Sequence, residues 1–234
     1  MAGMFLKGVF VEFMPTFLIP LPNIIVFQYN PETMQHNWTP AVTAGGSNPL
    51  AVKGVPGEKL SFTIFLDAND AITDGGPATS VIAQATGVYS RLAALGLLQY
   101  PTGASGGGLL GSVSVSVGAG GLSLSGGASA GIKRSIPESQ VPTVLFVWGP
   151  GRIVPVRVTG LNITEKLYDA LLNPTHAEVH IDLSVLTPDE VEALTGPLKA
   201  VAKVAYKYSQ GLRQALAVAN LAGPAESIIG MLPV

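Results

Sequence analysis

Strict alternation of apolar and polar positions predicts two well-defined strands. In the run 60–67, Leu60, Phe62, Ile64 and Leu66 share one face. In the run 177–186, Val179, Ile181, Leu183 and Val185 point inward, with Glu178, His180, Asp182 and Ser184 outward. Looser β-branched and aromatic segments at Lys7–Phe13, Ile24–Tyr29, Val141–Trp148 and Arg152–Leu161 read as further strands. Turn chemistry separates them at Asn30-Pro31, at 54–58 with Pro56, and at Gly149-Pro150-Gly151. The polar, glycine-bearing stretch 67–77 reads as a loop.

The period changes over 78–97. Val81, Ala85, Val88, Leu92 and Leu95 recur at spacings of three and four, the stripe of one helix, weakened at Gly87. A second helix start is written at Thr187-Pro188-Asp189-Glu190, with Thr187 as N-cap, Pro188 in the first turn and Glu190 closing a capping box. Helical pattern continues to about Asn220, interrupted near Gly196-Pro197. The expectation is an α+β, mainly β fold with six to eight strands, one central helix and a helical C-terminal tail. Strands and helices do not alternate, which argues against doubly wound and barrel enzymes.

Residues 102–132 are rich in Gly, Ser and Ala. Inside them, Val113, Val115 and Val117 alternate with serines, as do Leu122 and Leu124. Two readings stay open: a hairpin turned at 118–121, or a flexible loop.

Composition then narrows the function classes. Apolar residues make up 47% of the 234 residues and charged residues 12%, about half the usual charged share. So few charges suit a subunit that buries much of its outside against neighbours. A formal net charge of −2 carries no basic footprint for nucleic acid. With no Cys, disulfides, thiolate metal sites and a Cys nucleophile are excluded, which fits a cytosolic product. The apolar stretch from Met4 to Phe27 is broken by Lys7, Glu12, Pro15, Pro20 and Pro22, so it reads as a strand with its connection rather than a membrane span.

No catalytic pattern survives its context. Gly106-x-Gly108-x-x-Gly111 has dinucleotide-loop spacing but lies in a glycine tract without a preceding strand. Gly103-x-Ser105-x-Gly107 has nucleophile-elbow spacing without the strand and helix an elbow needs. A hydrolase using Ser105 with His176 or His180 is therefore a minor reading. Asp67-x-Asn69 begins like a calcium loop, but Ala71 and Ile72 break it, leaving Asp70 and Asp74 as solvated acids. His176 and His180 sit on the polar face of a strand, not on a helix where they would converge on a metal. The sequons at Asn37 and Asn162 read as unused without a signal peptide. Trp38 and Trp148 read as core. Lys199, Lys203 and Lys207 form a basic helical stripe, either a solvated face or a dock for an acidic partner. No cofactor or metal is expected. A glycan- or peptidoglycan-binding module is a further alternative, disfavoured by the small number of Trp and Tyr residues.

Several segments together resemble a known family. They are Ile25 to Glu32 with its Gln28-Tyr29-Asn30-Pro31 turn, Gly54 to Leu66 ending at Asp67, and Val144 to Gly149 with Trp148-Gly149. Arg152 to Val156 and Glu165 to Val185, with Leu172-Asn173-Pro174-Thr175, complete the set. In order and spacing these resemble the tube-type proteins of contractile injection systems, nearest to the tube-initiating or spike-tube adaptor subunit of the baseplate. The likeness covers roughly residues 5–100 and 137–187.

The resemblance implies a β-barrel or split barrel over 1–187, with a Gly/Ser-rich insert at 102–135 and a helical extension over 188–234. It implies a homohexameric ring contacting a trimeric spike, the inner tube and wedge or sheath components, with no direct membrane span. Bulk inner-tube subunit is the alternative within the family. Assembly is expected in the bacterial cytoplasm, ahead of incorporation into a particle. Candidate contact residues are Gln28, Tyr29 and Asn30, the insert positions Val113, Val115, Val117, Leu122 and Leu124, and the basic stripe Lys199, Lys203 and Lys207.

Overall fold

A computed structural model describes residues 6–13, 22–41, 52, 54–74, 76–100, 112–118, 121–127, 143–194 and 198–222. In chain order the elements begin with β1 (Val9–Phe13), β2 (Pro22–Val26), β3 (Met34–Thr39) and β4 (Gly57–Asp67). Three helices follow, α1 (Ala68–Asp74), α2 (Pro77–Thr86) and α3 (Tyr89–Leu97). Then come β5 (Ser112–Gly118), β6 (Gly121–Gly127), β7 (Val144–Val147), β8 (Ile153–Tyr168) and β9 (Pro174–Val185), and finally α4 (Pro188–Ala193) and α5 (Leu198–Ala222).

Seven strands form one antiparallel sheet in the order β2-β1-β7-β8-β9-β4-β3. Four strand spacings separate β1 from β4, about 19 Å across a flat sheet. Yet the rings of Phe10 on β1 and Phe62 on β4 stack with centroids 6.4 Å apart. The sheet is therefore rolled around its apolar face. Phe10, Phe27, Phe62, Phe146 and Trp148 fill the roll in tilted and stacked contacts. Each buried ring contributes roughly 1.5–3 kcal/mol of transfer free energy. An added Cβ at Gly8 would stand 2.7 Å from ring atoms of both Phe27 and Trp148, so only glycine fits beneath them. Ala68, Val88, Leu92, Leu95 and Leu98 of the helical segment join the same core.

The fold is α+β and mainly β, as the alternation predicts. Among the described residues no ladder joins the outer strands β2 and β3, so the sheet is open rather than a closed barrel. β9 matches its prediction closely: Val179, Ile181, Leu183 and Val185 are buried. The capping box at Thr187 is present, with the Glu190 N–H donating to Thr187 Oγ1 and the Thr187 N–H donating to Glu190 Oε2 at 2.8 Å. α5 packs Ala205 with Leu145, Val11 and Ile153 on the side of the sheet opposite the aromatic core.

Three expectations need correction, and one strand is additional to those expected. The loop expected over 67–77 contains α1, whose start is capped by Asp67 Oδ1 accepting from the Asn69 N–H at 2.8 Å. The single helix over 78–97 is two, because Gly87 adopts φ +58 and redirects the chain. Val88, Leu92 and Leu95 stay buried past that break, whereas Val81 and Ala85 are exposed. β3, a mostly polar segment, is the additional strand, and it pairs with β4 from Met34↔Phe62 to Thr39↔Gly57. Trp38 is not core: it stands 51% exposed on that outer strand, stacked on His36.

The Gly/Ser-rich segment contains a hairpin. β5 and β6 pair as a separate two-stranded sheet, Val113 opposite Gly126, Val115 opposite Leu124 and Val117 opposite Leu122. The interruption near Gly196-Pro197 lies outside the described residues, as do the glycine-tract motifs around Ser105.

Candidate functional site

The segment between β2 and β3 closes the open side of the roll with side chains instead of a ladder. Gln28 treats the end of β4 as a strand partner. Its Nε2 donates to the Asp67 carbonyl at 2.8 Å and its Oε1 accepts from the Asp67 N–H at 3.0 Å. Asn30 does the same for the start of β1, donating to the Leu6 carbonyl at 2.8 Å and accepting from the Gly8 N–H at 2.9 Å. Tyr29 donates its hydroxyl to Asp70 of α1. Gln28 and Asn30, expected at a contact surface, thus engage backbone of their own chain. Pro31, after them, is buried.

β8 carries the most consequential feature. On one side β9 accompanies it to Tyr168. On the other, β7 pairs only with residues 153–156. Beyond Val156, no described strand meets that edge. Among the described residues, 157–168 therefore present an edge without a strand partner, roughly 35–40 Å long, with about half their N–H and C=O groups facing outward. Leu167 and Tyr168 are exposed on it, and Ile163 is partly so. A bulge at 158–160 marks where the strand leaves the β7 side. Gly160 lies there under Asp182, and an added Cβ would sit 2.7 Å from Asp182 Oδ2. The tip between β8 and β9 is tied together by hydrogen bonds. Asp169 Oδ1 accepts from the N–H groups of Leu171 and Asn173, each at 2.8 Å. The Asn173 side-chain amide, donating to Asp169 Oδ2 at 3.0 Å, and then these backbone bonds hold the Asp169 carboxyl below its ordinary pKa.

The outer face of β4 and β9 is a polar ladder. His180 is held through both ring nitrogens, by Ser61 Oγ and Thr63 Oγ1, each at 3.1 Å. Ser61 also donates to Asp182 Oδ1 at 2.7 Å. His176 Nε2 lies 3.0 Å from Asp67 Oδ2. Ser61, His180 and Asp182 share residue types with an acyl-transfer relay, but the order differs. The carboxylate approaches the same ring nitrogen as the serine, and Thr63 occupies the other. Among the described residues no group of three or more His, Cys, Asp or Glu side chains is arranged to hold a metal. An open cleft of 390 Å³ on this face is lined by Gln35, Asn37, Lys59, Ser61, Thr159 and Asp182. It offers hydrogen bonds and mixed charge without a buried nucleophile.

A charge cluster sits at one end of the roll. Glu58, only 6% exposed, accepts from Arg213 Nη2 at both oxygens, 2.7 and 2.8 Å. Arg152 lies close enough to act on it electrostatically, and its Nη1 contacts Met34 Sδ at 3.3 Å. His36 Nδ1 is 3.6 Å from Glu58 Oε1. Burial, followed by the Arg152 guanidinium, nevertheless holds the His36 pKa below its ordinary value. Ser209 adds a second tie from α5, its hydroxyl donating to the Ile153 carbonyl at 2.6 Å.

The basic stripe divides. Lys199 and Lys203 both reach Glu192 at the end of α4, and their hydrogen bonds and charge lower its pKa. Lys207 is exposed. The insert positions Val113, Val115, Val117, Leu122 and Leu124 lie on a backbone hairpin of their own. Sequence reading missed the β8 edge entirely, because alternation marks a strand and not the length of its neighbour. No protein-family model matches the chain, and no curated protein is significantly similar to it.

Proposed function

We propose that the chain is a structural subunit of a contractile injection system baseplate, forming a hexameric ring that joins the trimeric spike to the inner tube and initiates tube assembly. The observation that carries this reading is the open β8 edge. A head-to-tail ring needs two different, complementary faces on each subunit. The β8 edge is one such face, and the outer edges of β2 and β3 supply candidates for the other. Strand addition between neighbours would satisfy the unpaired backbone of residues 157–168. The low charge content supports extensive burial between subunits. In this reading the rolled, open sheet is a tube-protein-like split barrel with α1–α3 as its flanking helical element. The β5–β6 hairpin is an arm toward the spike, and Lys207 faces wedge or sheath components.

Native mass spectrometry and negative-stain imaging of the purified protein, with and without the trimeric spike protein, test this. The expected result is six-membered rings that bind one spike trimer. Rings that stack into long tubes without the spike would make it the bulk tube subunit. A monomer at high concentration that ignores the spike overturns the proposal.

A further inference from the structure

α5 has two apolar faces, and the fold uses one. Ala202, Ala205 and Ser209 are buried against the body. About a third of a turn away runs a second line, Val201, Val204, Tyr208, Gly211, Ala215 and Val218, all exposed. Val204 is 68% exposed and Val218 67%. The spacings are three, four, three, four and three, the a/d period of a helix seam that winds around another helix. Tyr208 is pinned in place by its hydroxyl, which donates to the Pro150 carbonyl at 2.9 Å.

Among the described residues, nothing packs closely against Gly211. A glycine inside a helix is less favourable than an alanine. A Cβ added there would meet nothing within 4 Å, and its backbone is ordinary helix. It leaves a gap in the middle of the exposed seam.

We propose that two copies of this chain pair antiparallel through these seams. One register matches every layer: Tyr208 against Gly211, Val204 against Ala215, and Val201 against Val218, each twice by symmetry. The largest side chain then fills the gap left by the smallest, and both smaller layers pair apolar with apolar. Charge selects the same orientation. α5 holds Lys199, Lys203, Lys207 and Arg213 and no acidic residue. A parallel pair would set the lysines side by side. The antiparallel pair sets Lys199 and Lys203 level with the partner's uncharged Asn220 and Leu216, near a helix C-terminus and its partial negative charge, and leaves only Lys207 close in level to the partner's Arg213. This inference does not depend on the ring reading, whose subunit-to-subunit contacts lie on the strand edges.

The absence of native cysteine makes the register directly testable. Val204→Cys and Ala215→Cys variants are purified separately, then mixed and mildly oxidised. The expected product is a disulfide dimer containing one of each, with several-fold less dimer from either variant alone. No dimer in the mixture, or as much from Val204→Cys alone, overturns the proposal. Gly211→Leu added to both variants fills the gap and abolishes the cross-link, while the melting temperature stays at or above that of the parent. Unchanged cross-linking in the Gly211→Leu background also overturns it.

Discussion

Removing the Gln28 side chain tests whether the roll is held shut by one amide. In Gln28→Ala two hydrogen bonds to Asp67 are lost, at 2.8 and 3.0 Å, together with the longer contact from Arg91 Nη1 at 3.4 Å. Each net bond is worth about 1 kcal/mol, so the loss is about 2 kcal/mol, and more if the half-buried Asp67 peptide stays unsolvated. For a chain of this size that corresponds to a fall in melting temperature of about 4–8 °C. Gln28→Met separates the causes, since it keeps the length and apolar stem and removes only the amide. Thermal unfolding followed by circular dichroism gives the global effect. Amide exchange at Asp67 gives the local one, because its N–H loses its acceptor. If Gln28→Met melts within about 1 °C of the parent and Asp67 exchange is unchanged, the amide is not what closes the roll. If Ala is destabilised and Met is not, packing of the stem carries the effect instead.

Three further outcomes follow from the same structure. Gly87→Ala forces a side chain into φ +58 and sets a Cβ 2.2 Å from the Pro174 carbonyl oxygen, so chemical denaturation reports a loss of about 2 kcal/mol or more, with the β8–β9 tip loosened. Arg213→Met strips the two-oxygen contact from buried Glu58. Arg152 remains nearby and Arg213 is partly solvated, so the loss is about 1–3 kcal/mol rather than the full value of a buried pair, and Glu58→Gln in the same chain restores part of it. The folded chain resists protonation of His36, whereas the unfolded chain accepts it near the ordinary value of 6.5. Its contribution is therefore intact above about pH 6.5 and declines as the pH falls below it. Melting from about pH 7 to about pH 5 shows this slope, and His36→Gln flattens it.

Local physics was legible in the chain. Alternation identified β4 and β9 with the correct buried faces, because side-chain direction repeats every two residues whatever lies beyond the strand. The Thr187–Glu190 box was readable for the same reason: its donors and acceptors lie within one turn. Gly87 was visible as a weak point in a helix, but its left-handed backbone was not, since that depends on the Pro174 carbonyl it packs against. Gln28-Tyr29-Asn30-Pro31 was recognisable as a turn, yet nothing nearby in sequence says that its amides bind Asp67 and Gly8.

The tertiary arrangement alone decided the features that bear most on assembly. β3 becomes a strand because β4 offers it an edge, overriding a polar sequence with weak strand preference. The sheet rolls because five aromatic rings from distant segments share one core. Among the described strands, β8 keeps an open edge because β7 ends after four residues while β9 runs on beside it. The two apolar faces of α5 are both written in its period, but only docking determines which is covered and which remains for a partner. Sequence specifies which groups a segment carries and which way they point. Whether those groups are already satisfied depends on chain segments far away, and that is settled only when the fold brings them together.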